Sequence, residues 1–306
     1  MPFIKTRDNQ EVFVRDIGDN SDSAQTPIFL LHGFGMQSLH WLPFVLPLAS
    51  KHRFIIPDFR GFGRSHQNSH NRDCVISNYA DDIEDIITHF KFDKIKLAGI
   101  SMGAFVALQY QSLYGDKHIS RYLHIDQSPR CLNDNNWRWG LFGEEQVIRL
   151  EQARALIEAL TPFIDSNTSY NELPSHLRSS LWANLGDFFA SALSKPKHKQ
   201  FARFICKQEK LIKNLMPVKN WSVYIHCLKA YLEQGYDMKE VIEKLNSPMT
   251  LLVGLKSEMY PCGGQLRIAD YHRNCELVTL EKSGHTPLID QPIRFLQELK
   301  RFAQAE

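Results

Sequence analysis

Gly99-Ile100-Ser101-Met102-Gly103 is the stretch of this chain best suited to chemistry. A serine on a sharp strand-to-helix turn has its hydroxyl lifted clear of the backbone. Glycines two positions either side let the strained turn close and let the helix pack onto the strand. The flanks suit such a turn, with the apolar Ile95-Lys96-Leu97-Ala98 before it and the helix-forming Ala104-Phe105-Val106-Ala107-Leu108 after it. The turn also aims the first N–H groups of the helix at whatever the serine attacks. Serine is a poor nucleophile until a base takes its proton. The candidate base is His285, in Ser283-Gly284-His285-Thr286-Pro287 just past a predicted strand over Cys275–Leu280.

A second glycine-rich stretch, Leu30-Leu31-His32-Gly33-Phe34-Gly35, ends the third predicted strand. Acyl transfer develops negative charge on a carbonyl oxygen, and backbone N–H groups stabilise it. Met102 N–H, immediately after the serine, and Phe34 N–H, in a loop that Gly33 and Gly35 allow to turn sharply, are the expected donors. The side chain of His32 reads as a brace for that loop rather than a second base.

These residues need a scaffold, and residues 1–130 alternate strands and helices. Strands are predicted near the amino terminus and over residues 11–17, 27–31, 53–57, 94–99 and 121–126. Tyr79, Ile83, Ile86, Ile87 and Phe90 repeat with helical spacing behind Ser77 as an N-cap. Leu39, Leu42, Leu46 and Ala49 share a face of an earlier helix that Pro47 should kink or end. Alternation resumes after residue 246, with strands over 249–254 and 275–280 and helices over 261–272 and 292–303. This pattern predicts an α/β fold with a mainly parallel sheet and helices on both faces. Residues 131–246 differ: they hold four of the five tryptophans, and four helices are predicted over 144–160, 175–193, 198–215 and 221–234. The expected organisation is a core domain of 1–130 and 247–306 with an all-helical cap, 131–246, inserted after the sixth strand. Most of the cap aromatics should be ordinary core, while a few face the main domain and line a pocket.

With these residues assembled, the chain resembles the α/β-hydrolase superfamily in its helical-capped serine hydrolase branch. The matching motifs are His32-Gly33-Phe34-Gly35, the run Asp58-Phe59-Arg60-Gly61-Phe62-Gly63-Arg64-Ser65, the Ser101 elbow and Ser283-Gly284-His285. The resemblance implies an eight-stranded sheet, a nucleophile at Ser101, a base at His285 and no cofactor; Asp58 and Arg60 read as structural. The chain departs from the family over the acid. Most members carry aspartate shortly after the glycine ending the seventh strand, where this chain has Leu252-Val253-Gly254-Leu255-Lys256-Ser257-Glu258, with serine at the expected position. Asp126, ending the sixth strand, is favoured because a short carboxylate at a strand end is well held; Glu258 is the alternative. The implied activity is cleavage of small to medium acyl esters through an acyl-enzyme. Thioester, lactone or carbon–carbon bond hydrolysis, or a non-catalytic ligand sensor, are the competing readings.

Composition fits a globular protein that can bury a proper core. The 306 residues are 43% hydrophobic and 23% charged with a net charge of +2, which gives no nucleic-acid footprint. No stretch is long and apolar enough for a membrane span. Six scattered cysteines, without a C-x-x-C pair or a signal region, predict reduced thiols in a cytoplasmic protein. His66 and His70 are four apart but sit in a polar run, read as a loop and not a metal site. The expected partner is a small acyl substrate, and oligomeric state is left open.

Overall fold

Consecutive apolar residues mark strands buried on both faces, and Ile28-Phe29-Leu30-Leu31 lies in the middle of a sheet, buried at every position. The computed structural model describes residues 2–18, 26–67, 75–215 and 220–305. Its strands are β1 (Phe3–Lys5), β2 (Glu11–Ile17), β3 (Ile28–Leu31), β4 (Phe54–Pro57), β5 (Ile95–Ile100), β6 (Ile119–Ile125), β7 (Met249–Gly254) and β8 (Cys275–Leu280). They form one eight-stranded sheet in the order β1-β2-β4-β3-β5-β6-β7-β8. Only the pairs β1–β2 and β2–β4 are antiparallel. The fold is therefore an α/β-hydrolase fold.

Helices α1 (Leu42–Val45), α2 (Val75–Phe90) and α3 (Met102–Tyr114) belong to the first half of the chain. The segment between β6 and β7 holds α4 (Gln146–Asp165), α5 (Ser175–Ser191), α6 (Pro196–Cys206), α7 (Glu209–Leu215), α8 (Ser222–Gln234) and α9 (Lys239–Lys244). The last are α10 (Cys262–Tyr271), α11 (Pro287–Asp290) and α12 (Pro292–Gln304).

Strand side chains alternate between the two faces, and the core divides accordingly. Ile28 and Leu30 join Trp41, Phe44 and α12's Phe295, Leu299 and Phe302 on one side. Phe29 and Leu31 join α2 and α3 on the other, in a cluster that runs without a break into the helical segment. Aromatic edges weld that joint: Phe34 meets Tyr224 at 5.7 Å and Phe188 at 5.2 Å, and Phe62 meets Tyr224 at 5.8 Å. The parallel register pairs Leu31 with Gly99, Ile100 with Ile125, Ile125 with Leu252, and Gly254 with Leu280. Every loop that follows these strands consequently opens at the same edge of the sheet.

Local helix readings needed correction in four places. The segment after residue 37 buries Trp41, Phe44, Val45 and Leu48, whereas Leu39 and Leu46 are 48% and 60% exposed. Pro43 and Pro47 divide it into 3₁₀ and α turns, so a fixed 3.6-residue face does not persist. Ser77 is not a cap, because α2 starts at Val75, whose side chain and that of Ile76 are fully buried. The predicted 198–215 helix is two helices. Gln208 N–H bonds Ile205 C=O at 2.9 Å in a tight turn, while Cys206 packs on Gly186. Finally, α9 and α11 lie outside the expected helices, each being too short for a periodic signal. His66 Nδ1–H bonds Gly63 C=O at 3.0 Å within the glycine-rich turn, and His70 lies outside the described residues.

Candidate active site

Ser101 sits between β5 and α3 with φ 53° and ψ −123°, a strained backbone for any side chain. The glycines explain how the turn closes. A Cβ at Gly99 would lie 2.4 Å from Gly103 C=O, and one at Gly103 would lie 2.4 Å from Leu31 C=O, so neither position admits a side chain. Met102 begins α3, and its N–H has no carbonyl one turn back to bond. Across the cleft, Met36 N–H bonds Gly33 C=O at 3.1 Å, closing a turn with Gly35 at φ 71° that leaves Phe34 N–H unused by the turn. A Cβ at Gly33 would be 3.4 Å from Ser101 Cβ, which places the Phe34 turn beside the serine.

His285 Nε2 lies 2.7 Å from Ser101 Oγ, and its Nδ1 lies 2.8 Å from Asp126 Oδ1. Asp126 immediately follows β6 with φ 41° and is fully buried. Four donors surround its carboxylate: His285 Nδ1–H, Ser257 Oγ–H at 2.8 Å and Gln265 Nε2–H at 3.0 Å on Oδ1, and Gly254 N–H at 2.6 Å on Oδ2. A buried carboxylate so fully hydrogen-bonded is held in one orientation without water. Glu258 is not brought to this cluster. Its side chain is 62% exposed and pairs with Lys199 of α6 at 2.5 Å. Ser257 instead donates to the carboxylate that stands at the end of β6.

Other residues hold the constellation in place. His124 Nε2–H donates to Gln127 C=O at 2.8 Å and its Nδ1 accepts Tyr122 O–H at 2.8 Å, bracing the turn that contains Asp126. His32 Nδ1–H donates to Gly33 C=O at 2.8 Å and Nε2 accepts Phe59 N–H at 3.0 Å, so both ring nitrogens are occupied. Burial pushes each of these imidazoles down to about 4 and keeps it neutral. Asp58 accepts Ser38 N–H at 2.5 Å and Arg64 N–H at 2.8 Å, while Arg60 pairs with Asp82 and Asp8 beneath the turn. Asp290 accepts Gly284 N–H at 2.8 Å and Ser194 N–H at 3.0 Å, tying the His285 loop to the joint between α5 and α6. Sequence reasoning missed His124, Gln265 and Asp290. Each is an ordinary polar residue in a helix or strand, marked by nothing until its distant partner is known.

The two low imidazoles make stability pH-dependent. In the unfolded chain they titrate near 6.5, so between that value and about 4 the unfolded state binds more protons and stability falls as pH falls. Each should remove about 3 kcal/mol on full descent. Urea midpoints measured from pH 7.5 to 4.5 should drop steeply below 6.5, and His124→Gln should flatten that slope. A midpoint independent of pH would contradict the neutral, buried assignment.

A cavity of about 60 Å³ opens over Ser101. Phe34, Leu141, Phe142, Leu156, Leu185, Phe188, Tyr231 and Met259 are among its walls, and the charged or amide side chains Arg149, Gln152, Asn184 and Asp187 in its lining lie on α4 and α5. Among the described residues no group of three or more histidine, cysteine or acidic side chains is arranged to hold a metal.

Comparison with known proteins places this geometry in context. The alpha/beta hydrolase fold family model matches residues 26–292. The chain is 22% identical over 289 residues to a pimeloyl-[acyl-carrier protein] methyl ester esterase of Aliivibrio salmonicida, covering 94% of each protein. An esterase from Exiguobacterium antarcticum superposes with a TM-score of 0.76 at 20% identity over 99% of both chains. The enol-lactonase from Burkholderia xenovorans gives 0.73 at 15% identity, covering 99% of this chain and all of that one. The strand order, the strained serine turn and the extent of the match lead to one assignment: the chain belongs to the α/β-hydrolase family.

Proposed function

We propose that the protein is a serine hydrolase of carboxylic esters with small to medium apolar acyl groups. His285 Nε2 takes the Ser101 hydroxyl proton as Oγ attacks the ester carbonyl, and Asp126 stabilises the imidazolium that forms. Phe34 and Met102 N–H groups hold the oxyanion. The imidazolium then protonates the departing alcohol, and the same nitrogen activates the water that releases the acid. The observation that carries this reading is the unbroken run of hydrogen bonds Ser101–His285–Asp126, at 2.7 and 2.8 Å. That relatives include methyl ester esterases supports the choice of ester. No step calls for a metal or organic cofactor. Residues 131–246 act as a cap, since their α4 and α5 supply much of the cavity wall. The five described cysteines are free thiols, three of them buried, which supports a cytoplasmic setting. Among the described residues no helix is long and apolar enough to cross a membrane.

The test is labelling by a fluorophosphonate probe, followed by a panel of p-nitrophenyl esters run beside acyl-CoAs and lactones. Labelling of the wild type but not of Ser101→Ala, with turnover highest on esters, is expected. A folded wild type that refuses the probe would favour a ligand sensor. The cavity makes a further prediction. A space of about 60 Å³ holds only a handful of water-sized groups, and Leu156 is 3% exposed in its wall. Leu156→Trp should lower the octanoyl-to-acetyl ratio of kcat/KM by about tenfold. An unchanged ratio would place the acyl chain elsewhere.

A further inference from the structure

The helix α6 is amphipathic in an unusual sense, because its outward face carries the larger apolar groups. Inward, Ala202 and Ile205 are half-buried and Cys206 is buried against Gly186 of α5. Outward, Phe201 is 64% and Phe204 56% exposed, one turn apart on the same face. Lys197 lies one turn before this pair and Lys207 one turn after it, both exposed. From Lys195 to Ile212 the chain has six basic residues against one acid, Glu209. Single exposed apolar residues are ordinary, but an adjacent aromatic pair bracketed by lysines is a recognition pattern.

We propose that this face of α6 docks on an anionic lipid surface, with Phe201 and Phe204 entering the headgroup–acyl boundary and the lysines meeting lipid phosphates. Phenylalanine carries no polar handle, so a hydrocarbon-like medium satisfies its whole ring. Lysine is depleted in the cores of protein–protein interfaces, yet at a bilayer its long stem lets the ammonium reach the phosphates. The placement is also functional. Arg203 of α6 bonds Asp187 at 2.7 Å, and Asp187 lines the cavity over Ser101. Lys199 pairs with Glu258, next to the wall residue Met259. A docked α6 therefore holds the Asp187 side of the cavity wall near the lipid surface, where apolar esters partition.

Flotation with vesicles tests the docking without reference to catalysis, so failure of the hydrolase reading would leave this result standing. The full chain should float with phosphatidylcholine vesicles containing phosphatidylglycerol and not with phosphatidylcholine alone. Binding should weaken as salt is raised, since the electrostatic part is screened. The partition coefficient should fall at least about tenfold in Phe201→Ser/Phe204→Ser. It should fall about fivefold per charge removed in Lys197→Gln/Lys207→Gln. Thermal unfolding of each variant near the wild-type midpoint certifies its fold. Absence of wild-type flotation at low salt, or undiminished flotation of the phenylalanine variant, overturns the proposal. A wild-type dimer by light scattering, absent from that variant and accompanied by no flotation, overturns it in favour of a second copy of this chain.

Discussion

Ser101→Ala and His285→Ala are each expected to lower kcat by about 10⁶, and the double variant by no more than either alone. The two side chains act through one proton, shared across 2.7 Å between Oγ and Nε2. Once either partner is gone the transfer does not occur, and the second substitution removes nothing further. Residual turnover of about 10³ over the uncatalysed reaction should survive, because the Phe34 and Met102 amides and the cavity remain. Single-turnover measurements on p-nitrophenyl acetate check this. Losses that multiply would mean that the two residues work in separate steps. A His285→Ala enzyme within 100-fold of wild type would move the base elsewhere.

Asp126→Asn should lower kcat by about 10⁴, the magnitude associated with losing the acid of such a triad. The amide lacks the charge that stabilises the imidazolium. It also turns an N–H₂ group toward a pocket built wholly of donors, leaving one of Ser257, Gln265, His285 or Gly254 without an acceptor. Glu258→Gln should change kcat by less than about threefold, since it removes only a surface ion pair with Lys199. The local geometry offers a sharper comparison. Ser257 Oγ is 2.8 Å from the same Asp126 oxygen that receives His285 Nδ1–H. A carboxylate grown from residue 257 would therefore reach the imidazole. Asp126→Asn/Ser257→Asp should recover at least about tenfold of the lost kcat, moving the acid from the end of β6 to the position after β7 that the common family pattern uses. A double variant as inactive as Asp126→Asn would show that the Asp126 side of the pocket is needed for more than its charge. A Glu258→Gln enzyme that loses activity as Asp126→Asn does would transfer the role to Glu258.

What was legible in the chain follows from how local each signal is. The strand–helix alternation, the Gly99–Gly103 elbow and the glycine turn at Gly33–Gly35 are written in residues a few positions apart, because they answer to backbone sterics and to periodic burial. The same local rules misplaced the buried face around Leu42, where two prolines reset the helical phase. They also joined α6 to α7, where a tight turn closed by Gln208 N–H on Ile205 C=O separates two helices whose apolar spacing runs on between them.

The position of the carboxylate was of another kind. Asp126 and Glu258 are both acids near strand ends, and local spacing favours Asp126 only as the shorter carboxylate at a strand end, without excluding Glu258. Their difference arises when β6, β7 and β8 pair in register, so that Asp126, Gly254, Ser257, Gln265 and His285 converge from points up to 159 residues apart. Burial then makes an unpaired charge prohibitively unfavourable, and the carboxylate surrounded by four donors stays inside. Glu258, one residue past Ser257, faces solvent and the α6 lysine. Composition and short-range spacing laid down the sheet, the serine turn and the glycine loops. Selection between two chemically equivalent acids, and the exposure of two phenylalanines on α6, came from long-range packing, because solvent access is a property of the assembled chain and of no short segment within it.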